Sequence, residues 1–351
     1  MKGAPLEVRA MTANEADLRA FKSCFERNGT ERRVDALRWQ YLENPTDELL
    51  VSLAMSDDTL AAIYAVQPAR VRLEGARRLA AQSVDTLVDS EFRGRGLFTT
   101  MADAVYRRTR DAGGAFVYGF PNGNSAPGFF GKLGWLSLDP VPFLVRPLRT
   151  AFLASKLPLG PLGKKLPDLR LPVGRFKPRA NQELRALTEL GPELDSLWER
   201  FSREVLVAVD RSSEYLRWRL RKPGECYECL GLYEDDTLAA FCAFTTVDKH
   251  GGRIGYVVEL LHEPGRPDLG ATLLAEGLKR MAALGADAVL SWSFPHSPNH
   301  AAYSRLGFLP LPERLRPIEL HVGVRPLDES LADLLGRRES WYLSYCDSDT
   351  V

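Results

Sequence analysis

The sequence repeats itself once along its length, and this repeat constrains the fold more than any other feature. Asp85 to Pro121 aligns without gaps on Glu259 to Pro295. The tripeptide Leu-Arg-Trp occurs at 37–39 and again at 216–218, and DDTLAA occurs once in each half. Because these matches keep the same order, they indicate a tandem duplication with about 170–180 residues per copy.

The repeat predicts two domains of one α/β architecture, joined by a linker. We expect the first domain over 1–150, a Pro- and Lys-rich linker over 151–174, and the second domain over 175–351. Proline removes backbone donors and fixes φ, which is typical of loops. Each copy shows amphipathic helices, alternating strands, a Gly-rich turn before a helix, and a buried strand, so each is expected to form a mixed sheet flanked by helices. The apolar WYLSY near the end is predicted to be a last strand.

Composition and charge exclude several classes of protein. Hydrophobic residues make up 45% and charged residues 26% of the 351 residues, as in globular proteins. The formal net charge is zero and the second half is acidic, which argues against a nucleic-acid partner. No apolar run reaches the roughly 18–20 residues of a membrane span. The charged N-terminus lacks the apolar core of a signal peptide, so we expect a cytoplasmic protein without a membrane partner.

The cysteines predict neither a disulfide framework nor a metal site. There are five, an odd number at scattered positions. Cys226 and Cys229 form a CxxC, but no second pair follows at the spacing of zinc ligands.

The clearest chemical motif is the run Arg93-Gly94-Arg95-Gly96, which lies between a predicted strand and a predicted helix. Glycines allow backbone N–H groups to approach an anion closely, and a helix N-terminus adds partial positive charge. A diphosphate is the natural ligand of such a loop. Taken alone, the run also suits a tight turn that binds no ligand.

This stretch resembles the acyl-CoA loop of the GCN5-related N-acetyltransferases (GNAT), whose pattern is R/Q-x-x-G-x-G/A. The match is RGRG preceded by a strand-end valine, and NGNSAPGFFGKLGW (122–135) resembles the later family signature N-x-x-A-x-x-x-Y-x-x-x-G-F. The resemblance implies a splayed mixed sheet with acetyl-CoA, or another short acyl-CoA, held where two strands part. The implied cofactor-binding positions are Thr86, Leu87, Val88, Arg93, Gly94, Arg95, Gly96, Leu97, Phe98, Asn124 and Phe130.

Each copy departs from the family pattern at one place. In the second copy, Asp268 stands where the first has Gly94, and a carboxylate there would repel a diphosphate. We therefore expect the second copy to be degenerate. In the first copy, Phe130 replaces the tyrosine that commonly protonates the departing thiolate in the family. The second copy keeps a tyrosine there, Tyr303, which the resemblance makes a candidate catalytic acid.

Three further side chains are candidates for roles in catalysis or acceptor binding. Asp85, on the strand before the loop, matches a family position that contacts the acceptor amine, so it is either a base or amine anchor or a structural ion-pair partner. Its counterpart Glu259 is also acidic. Asn124 either holds the pantetheine arm or an active-site water, or is a turn residue. Trp39 is expected in the core, although it could line an acceptor pocket.

These observations predict an acyl-CoA-dependent N-acyltransferase. The expected reaction is acetyl transfer from acetyl-CoA, by direct attack, to the amine of a small molecule such as an amino sugar, an amino acid or an antibiotic-like amine. Backbone donors at 86–88 would stabilise the oxyanion. The alternatives are O-acylation, a non-catalytic acyl-CoA sensor or interaction protein, and a tRNA-dependent aminoacyl transferase. The oligomeric state is left open.

Overall fold

The computed structural model describes residues 6–152, 167–174 and 176–350. Most of the predicted linker, 153–166, lies outside the described residues. The strands are β1 Leu6–Ala10, β2 Leu50–Ser56, β3 Thr59–Leu73, β4 Ala76–Val88, β5 Gly114–Gly119, β6 Leu136–Ser137, β7 Phe143–Pro147, β8 Gln182–Ala186, β9 Val207–Val209, β10 Glu228–Glu234, β11 Thr237–Lys249, β12 Gly252–His262, β13 Ala288–Trp292, β14 Leu309–Pro310 and β15 Gly323–Pro326. The α-helices are α1 Glu15–Arg27, α2 Val34–Tyr41, α3 Leu97–Asp111, α4 Ala126–Lys132, α5 Pro192–Phe201, α6 Ser213–Arg219, α7 Pro267–Ala283, α8 His300–Arg305 and α9 Ala332–Leu335. Short 3₁₀ turns are Ser90–Phe92, Ser202–Glu204, Glu313–Leu315, Glu329–Leu331, Arg338–Ser340 and Tyr345–Asp347.

The described chain divides into two compact units, each with its own sheet. Among the described residues, unit 1 contains 6–140, 222–224 and 320–338, and unit 2 contains 141–152, 167–174, 176–221, 225–319 and 339–350. The strand order is β1-β2-β3-β4-β5-β15-β6 in unit 1 and β8-β10-β11-β12-β13-β7-β14 in unit 2. The seven strands along each of these paths correspond one to one, which confirms the predicted pair of mixed α/β domains.

Each sheet is completed by a strand from the other sequence repeat. In unit 1, β15 pairs antiparallel with β5, and in unit 2, β7 pairs antiparallel with β13. Apart from the three residues 222–224, the units therefore differ from the two predicted domains at residues 141–150 and 320–338. Strand pairing causes this difference, because β7 and β15 find their hydrogen-bonding partners in the sheet of the other repeat.

The core of unit 1 lies on both faces of its sheet. One cluster joins α3 and α4 to the sheet through residues such as Met101, Val105 and Phe129. The other joins α1 and α2 through Leu18, Phe21 and their neighbours. Alternation along the strands divides side chains between the two faces, so both faces bury apolar surface.

Several local elements follow directly from the sequence. Asp57 adopts a left-handed conformation (φ 51°) in the tight turn between β2 and β3, as the Asp-Asp pair predicts. Helix α3 ends shortly before Gly113 (φ 84°), as its Gly-Gly terminus predicts.

The predicted last strand WYLSY is wrong. Trp341 makes one isolated parallel bridge to Val207, and the chain then turns into a 3₁₀ segment at Tyr345–Asp347. The apolar residues of this stretch are buried, with Tyr342 fully so. The apolar residues of this segment are therefore explained by burial in the core of unit 2 and not by pairing in a sheet.

Candidate active site

The Gly-rich loop of unit 1 joins the end of β4 to the start of α3. Gly94 (φ 78°) and Gly96 (φ 74°) are both left-handed, and Gly96 is the N-cap of α3 without a side-chain cap. A Cβ added at either glycine would meet nothing within 4 Å, so backbone conformation and not crowding demands glycine there. The first N–H groups of a helix lack intrahelical partners, so this exposed terminus can bind an anion.

Two arginines flank this terminus. The Arg93 Nε donates to the carbonyl oxygen of Val88 at 3.3 Å, which folds the side chain back on the end of β4. The Arg95 guanidinium lies over the ring of Phe92, 5.0 Å from its centroid. Both residues are exposed, so their charges can reach a phosphate group.

Next to the loop, β4 and β5 part. Their parallel ladder runs from Leu79 to Ser83 on β4 and reaches Gly119 on β5, while β4 continues to Val88 paired with β3 alone. A bulge in β4 falls between Ser83 and Thr86. Alternate N–H groups of an antiparallel strand point away from its partner, so the stretch Thr86–Val88 offers donors on the side where β5 has ended.

Thr86 supplies an orphaned polar atom at this opening. Its Oγ1 is buried and has no hydrogen-bond partner in the described part of the chain. A buried hydroxyl without a partner is costly, and an amide or carbonyl group of a bound ligand would satisfy it. The residues of the splay therefore fit the pantetheine arm of a CoA thioester.

The turn before α4 contains Asn124, whose N–H donates to Asn122 Oδ1 at 3.1 Å. Asn122 Oδ1 also accepts from the Ser125 N–H at 3.1 Å, so Asn122 organises the turn. Asn124 itself is exposed, which leaves both its predicted roles open.

Aromatic rings from α3 and α4 pack together next to the Gly-rich loop. Phe98 contacts Phe129 edge to face, with ring centroids 5.6 Å apart, and both lie against Tyr64 of β3. The Tyr64 hydroxyl meets that of Tyr106 at 2.7 Å, and burial raises the pKa of both phenols. Leu97, the first residue of α3, is also buried. These contacts hold the helix N-terminus in place.

Asp85 lies in the β4 bulge with its side chain 1% exposed. It forms an ion pair with Arg32 and accepts a hydrogen bond from the Tyr41 hydroxyl at 2.7 Å. The Gln40 Nε2 donates to the same oxygen as Tyr41, Asp85 Oδ2, at 3.5 Å. A carboxylate that is covered and charge-paired in this way favours the ion-pair alternative over the base. Trp39, which belongs to α2 together with Gln40 and Tyr41, is buried, as the sequence predicts.

Sequence reasoning missed His321, which lies beside Phe130. The two rings are 6.1 Å apart, edge to face, and a Cβ at Gly323 would lie 2.6 Å from the Phe130 ring. His321 Nδ1 lies 2.6 Å from Asp139 Oδ2, and the imidazole is 32% exposed. The carboxylate at Nδ1 fixes the orientation of the ring and leaves Nε2 as the nitrogen that can exchange a proton with another group. No local signal marks His321, because it reaches unit 1 only through the segment that carries β15.

Comparison with known proteins identifies the fold. Residues 7–137 match the sequence model of the family described as "Acetyltransferase (GNAT) domain". A GCN5-related N-acetyltransferase from Anabaena variabilis superposes with a TM-score of 0.65 at 12% identity, covering 94% of this chain and 75% of the other. One from Kribbella flavida gives 0.62 at 16% identity, covering 95% and 74%.

The first part of the chain therefore matches a GNAT domain by sequence, and the two-sheet fold as a whole is similar to that of GCN5-related N-acetyltransferases. Saccharomyces cerevisiae N-myristoyltransferase with bound myristoyl-CoA has a similar fold, with a TM-score of 0.60 at 14% identity over 92% of this chain and 84% of that one. No curated protein matches the sequence significantly.

The loop of unit 2 that is equivalent to RGRG in the repeat carries internal ion pairs where unit 1 has exposed glycines. Arg266 binds both Asp268 and Glu234, and Arg179 also reaches Asp268. Burial opposes ionisation of Asp268, but the hydrogen bond and charge of Arg266 outweigh it and lower the pKa of that carboxyl. The anion position of this loop is thus taken by the protein's own carboxylate.

Tyr303 lies in the core of unit 2 and exposes none of its side chain. Its ring contacts Phe308, and burial raises the pKa of its phenol well above the ordinary value. The structure thus places Tyr303 among packing residues, whereas the sequence made it a candidate acid.

No three His, Cys, Asp or Glu side chains converge as metal ligands within 6–152, 167–174 and 176–350. Across those same ranges, every helix is too short or too polar to span a bilayer.

Proposed function

We propose that unit 1 transfers an acyl group, most simply acetyl, from acyl-CoA to the amine of a small acceptor. One observation carries the proposal: the GNAT domain of unit 1 keeps an open, left-handed glycine loop at a helix N-terminus beside a splayed strand. The loop would bind the diphosphate, and the orphaned Thr86 hydroxyl would bind the pantetheine arm.

The reaction is a direct displacement. The amine nitrogen attacks the thioester carbonyl carbon, a C–N bond forms, and the oxyanion is held by backbone donors of the stretch Thr86–Val88. The C–S bond then breaks and CoA leaves as a thiolate, while the nitrogen releases a proton to solvent. Because Phe130 cannot donate a proton, we propose that the His321 side chain, held by Asp139, donates the proton to the thiolate and regains one from solvent.

The proposal is tested by calorimetric titration with acetyl-CoA, followed by a free-thiol assay over a panel of small amines. One site per chain with amine-dependent thiol release is the expected result. Binding without release from any amine would favour the acyl-CoA sensor, the alternative that Phe130 supports. Failure to bind would contradict the cofactor assignment.

A further inference from the structure

An arginine–carboxylate pair occurs at the same place in both units. Arg32 and Arg211 each lie five residues before the leucine of the repeated Leu-Arg-Trp, and each directly precedes the N-cap of the following helix. Arg32 binds Asp85, and Arg211 binds Glu259 at 2.5 Å. Since Asp85 and Glu259 are also equivalent in the repeat, the two pairs are counterparts.

In unit 2, the arginine holds a second carboxylate that comes from the C-terminal segment. Arg211 Nη2 donates to Asp347 at 2.6 Å and to the Ser344 hydroxyl at 3.2 Å. The Tyr342 and Ser344 hydroxyls donate to Glu259. Burial disfavours the charge on Arg211, but the two carboxylates outweigh it and raise its pKa. All three charged side chains are fully buried.

In unit 1, the second carboxylate is missing from the described residues. Arg32 makes one ion pair there, with Asp85, and its buried Nε has no hydrogen-bond partner. The guanidinium lies over the ring of Phe25, 4.9 Å from the centroid, and the side chain is 33% exposed. A guanidinium has five N–H donors in a fixed fork, so Arg32 retains donors for a second anion that arrives from solvent.

We propose that Arg32 binds a carboxylate of the acceptor, as Arg211 binds Asp347 in unit 2. This inference rests on the proposed function and narrows its acceptor to amines that also carry a carboxylate, such as amino acids. The occupant in unit 2 is a monoanionic carboxylate. A dianionic phosphate would be repelled more strongly by Asp85, which remains beside Arg32.

The test compares matched acceptors that differ in one group. Amino acids and their amides are assayed for acetyl-CoA-dependent thiol release, and their binding to the CoA-saturated protein is measured by ligand-observed NMR. Wild-type protein should prefer the carboxylates by about 10- to 100-fold, the usual effect of a hydrogen bond to a charged group. The variant Arg32→Met should lose this preference.

Two further variants separate recognition from folding. Arg32→Met leaves Asp85 without its counter-charge, so the double variant Arg32→Met with Asp85→Asn removes both charges and keeps the Tyr41 hydrogen bond. It should fold and still show no preference. Arg33→Met, at the exposed neighbour paired with Asp35, should keep the wild-type preference.

The outcomes distinguish this inference from the proposed function. Thiol release without any preference for carboxylates would overturn the inference and leave the transferase standing. Arg32-dependent carboxylate binding without thiol release would support the inference and contradict the transferase. No binding of either acceptor series, or a preference that survives in both Arg32 variants, would overturn the inference.

Discussion

Single residues decide which repeat can bind an anion. Gly94 and Asp268 occupy equivalent positions, yet one leaves an exposed backbone turn and the other an internal ion pair with Arg266. The left-handed φ of Gly94 needs glycine or a residue such as asparagine that tolerates this conformation. Charge and backbone conformation can therefore be tested separately at this position.

Gly94→Asp should weaken acetyl-CoA binding at least about tenfold, because a carboxylate would face the diphosphate. Gly94→Asn has almost the same shape without the charge and should bind more tightly than Gly94→Asp. Calorimetric titration of both variants measures the difference. Equal affinities for Gly94→Asp and wild type would show that the loop is not the cofactor site.

His321→Gln should lower kcat by about 100-fold if the imidazole protonates the thiolate, which is the lower end of general-acid effects. Adding Phe130→Tyr to this variant places a phenol on the neighbouring ring and should restore part of the rate. Steady-state kinetics and acetyl-CoA affinity are measured for both variants. An unchanged kcat in His321→Gln would rule out this proton donor.

At the scale of elements, α1 shows how a cap fixes a helix start. Asn14 accepts from the Asp17 N–H at 2.8 Å, while Asp17 accepts from the Thr12 N–H at 2.7 Å and binds Arg9. The hydrogen bond from Arg9 outweighs burial and lowers the pKa of Asp17 to about 2. Asn14 thereby caps one N–H group of the first turn, and Asp17 ties that turn to the chain before the helix.

Asp17→Asn should reduce the free energy of unfolding by about 1–2 kcal/mol at neutral pH. This figure is lower than the pKa shift alone would give, because Arg9 is partly exposed and solvent screens the pair. A lowered folded-state pKa stabilises the fold above pH 4 and loses that effect as the pH falls toward 2. Urea unfolding at several pH values should therefore show the two proteins converging in acid. Asp35→Asn, in an exposed pair with Arg33, is the control and should leave the urea midpoint unchanged.

At the scale of the whole molecule, the exchange of β7 and β15 makes each repeat incomplete alone. Without β15, β5 loses its antiparallel neighbour and β6 loses the strand with which it pairs. Fragment 1–158 is expected not to unfold cooperatively when expressed alone, because its sheet would expose an open edge. Co-expressed with 159–351, it should co-purify and regain a cooperative transition.

Circular dichroism during urea unfolding and size-exclusion chromatography measure both states. A cooperative transition for fragment 1–158 alone would show that β15 is dispensable for unit 1. The co-expressed pair provides the positive control, since every strand of both sheets is then present.

The sequence alone was enough for the repeat, the mixed α/β architecture and the GNAT resemblance, because these depend on local periodicity, turn chemistry and the spacing of RGRG. It also placed the hairpin at Asp57 and the helix after Gly96, where φ requires glycine or a tolerant residue. Such features involve residues that are neighbours in the chain, so their physical causes are visible in the sequence.

Tertiary structure decided what depends on distant partners. The sequence could not choose between a base and an ion pair for Asp85, because Arg32 lies far from it along the chain. It could not bring His321 to Phe130, since the exchange of β15 depends on which sheet edge offers hydrogen bonds. It mistook the buried C-terminal segment for a strand, because apolar periodicity does not distinguish pairing in a sheet from packing against a core.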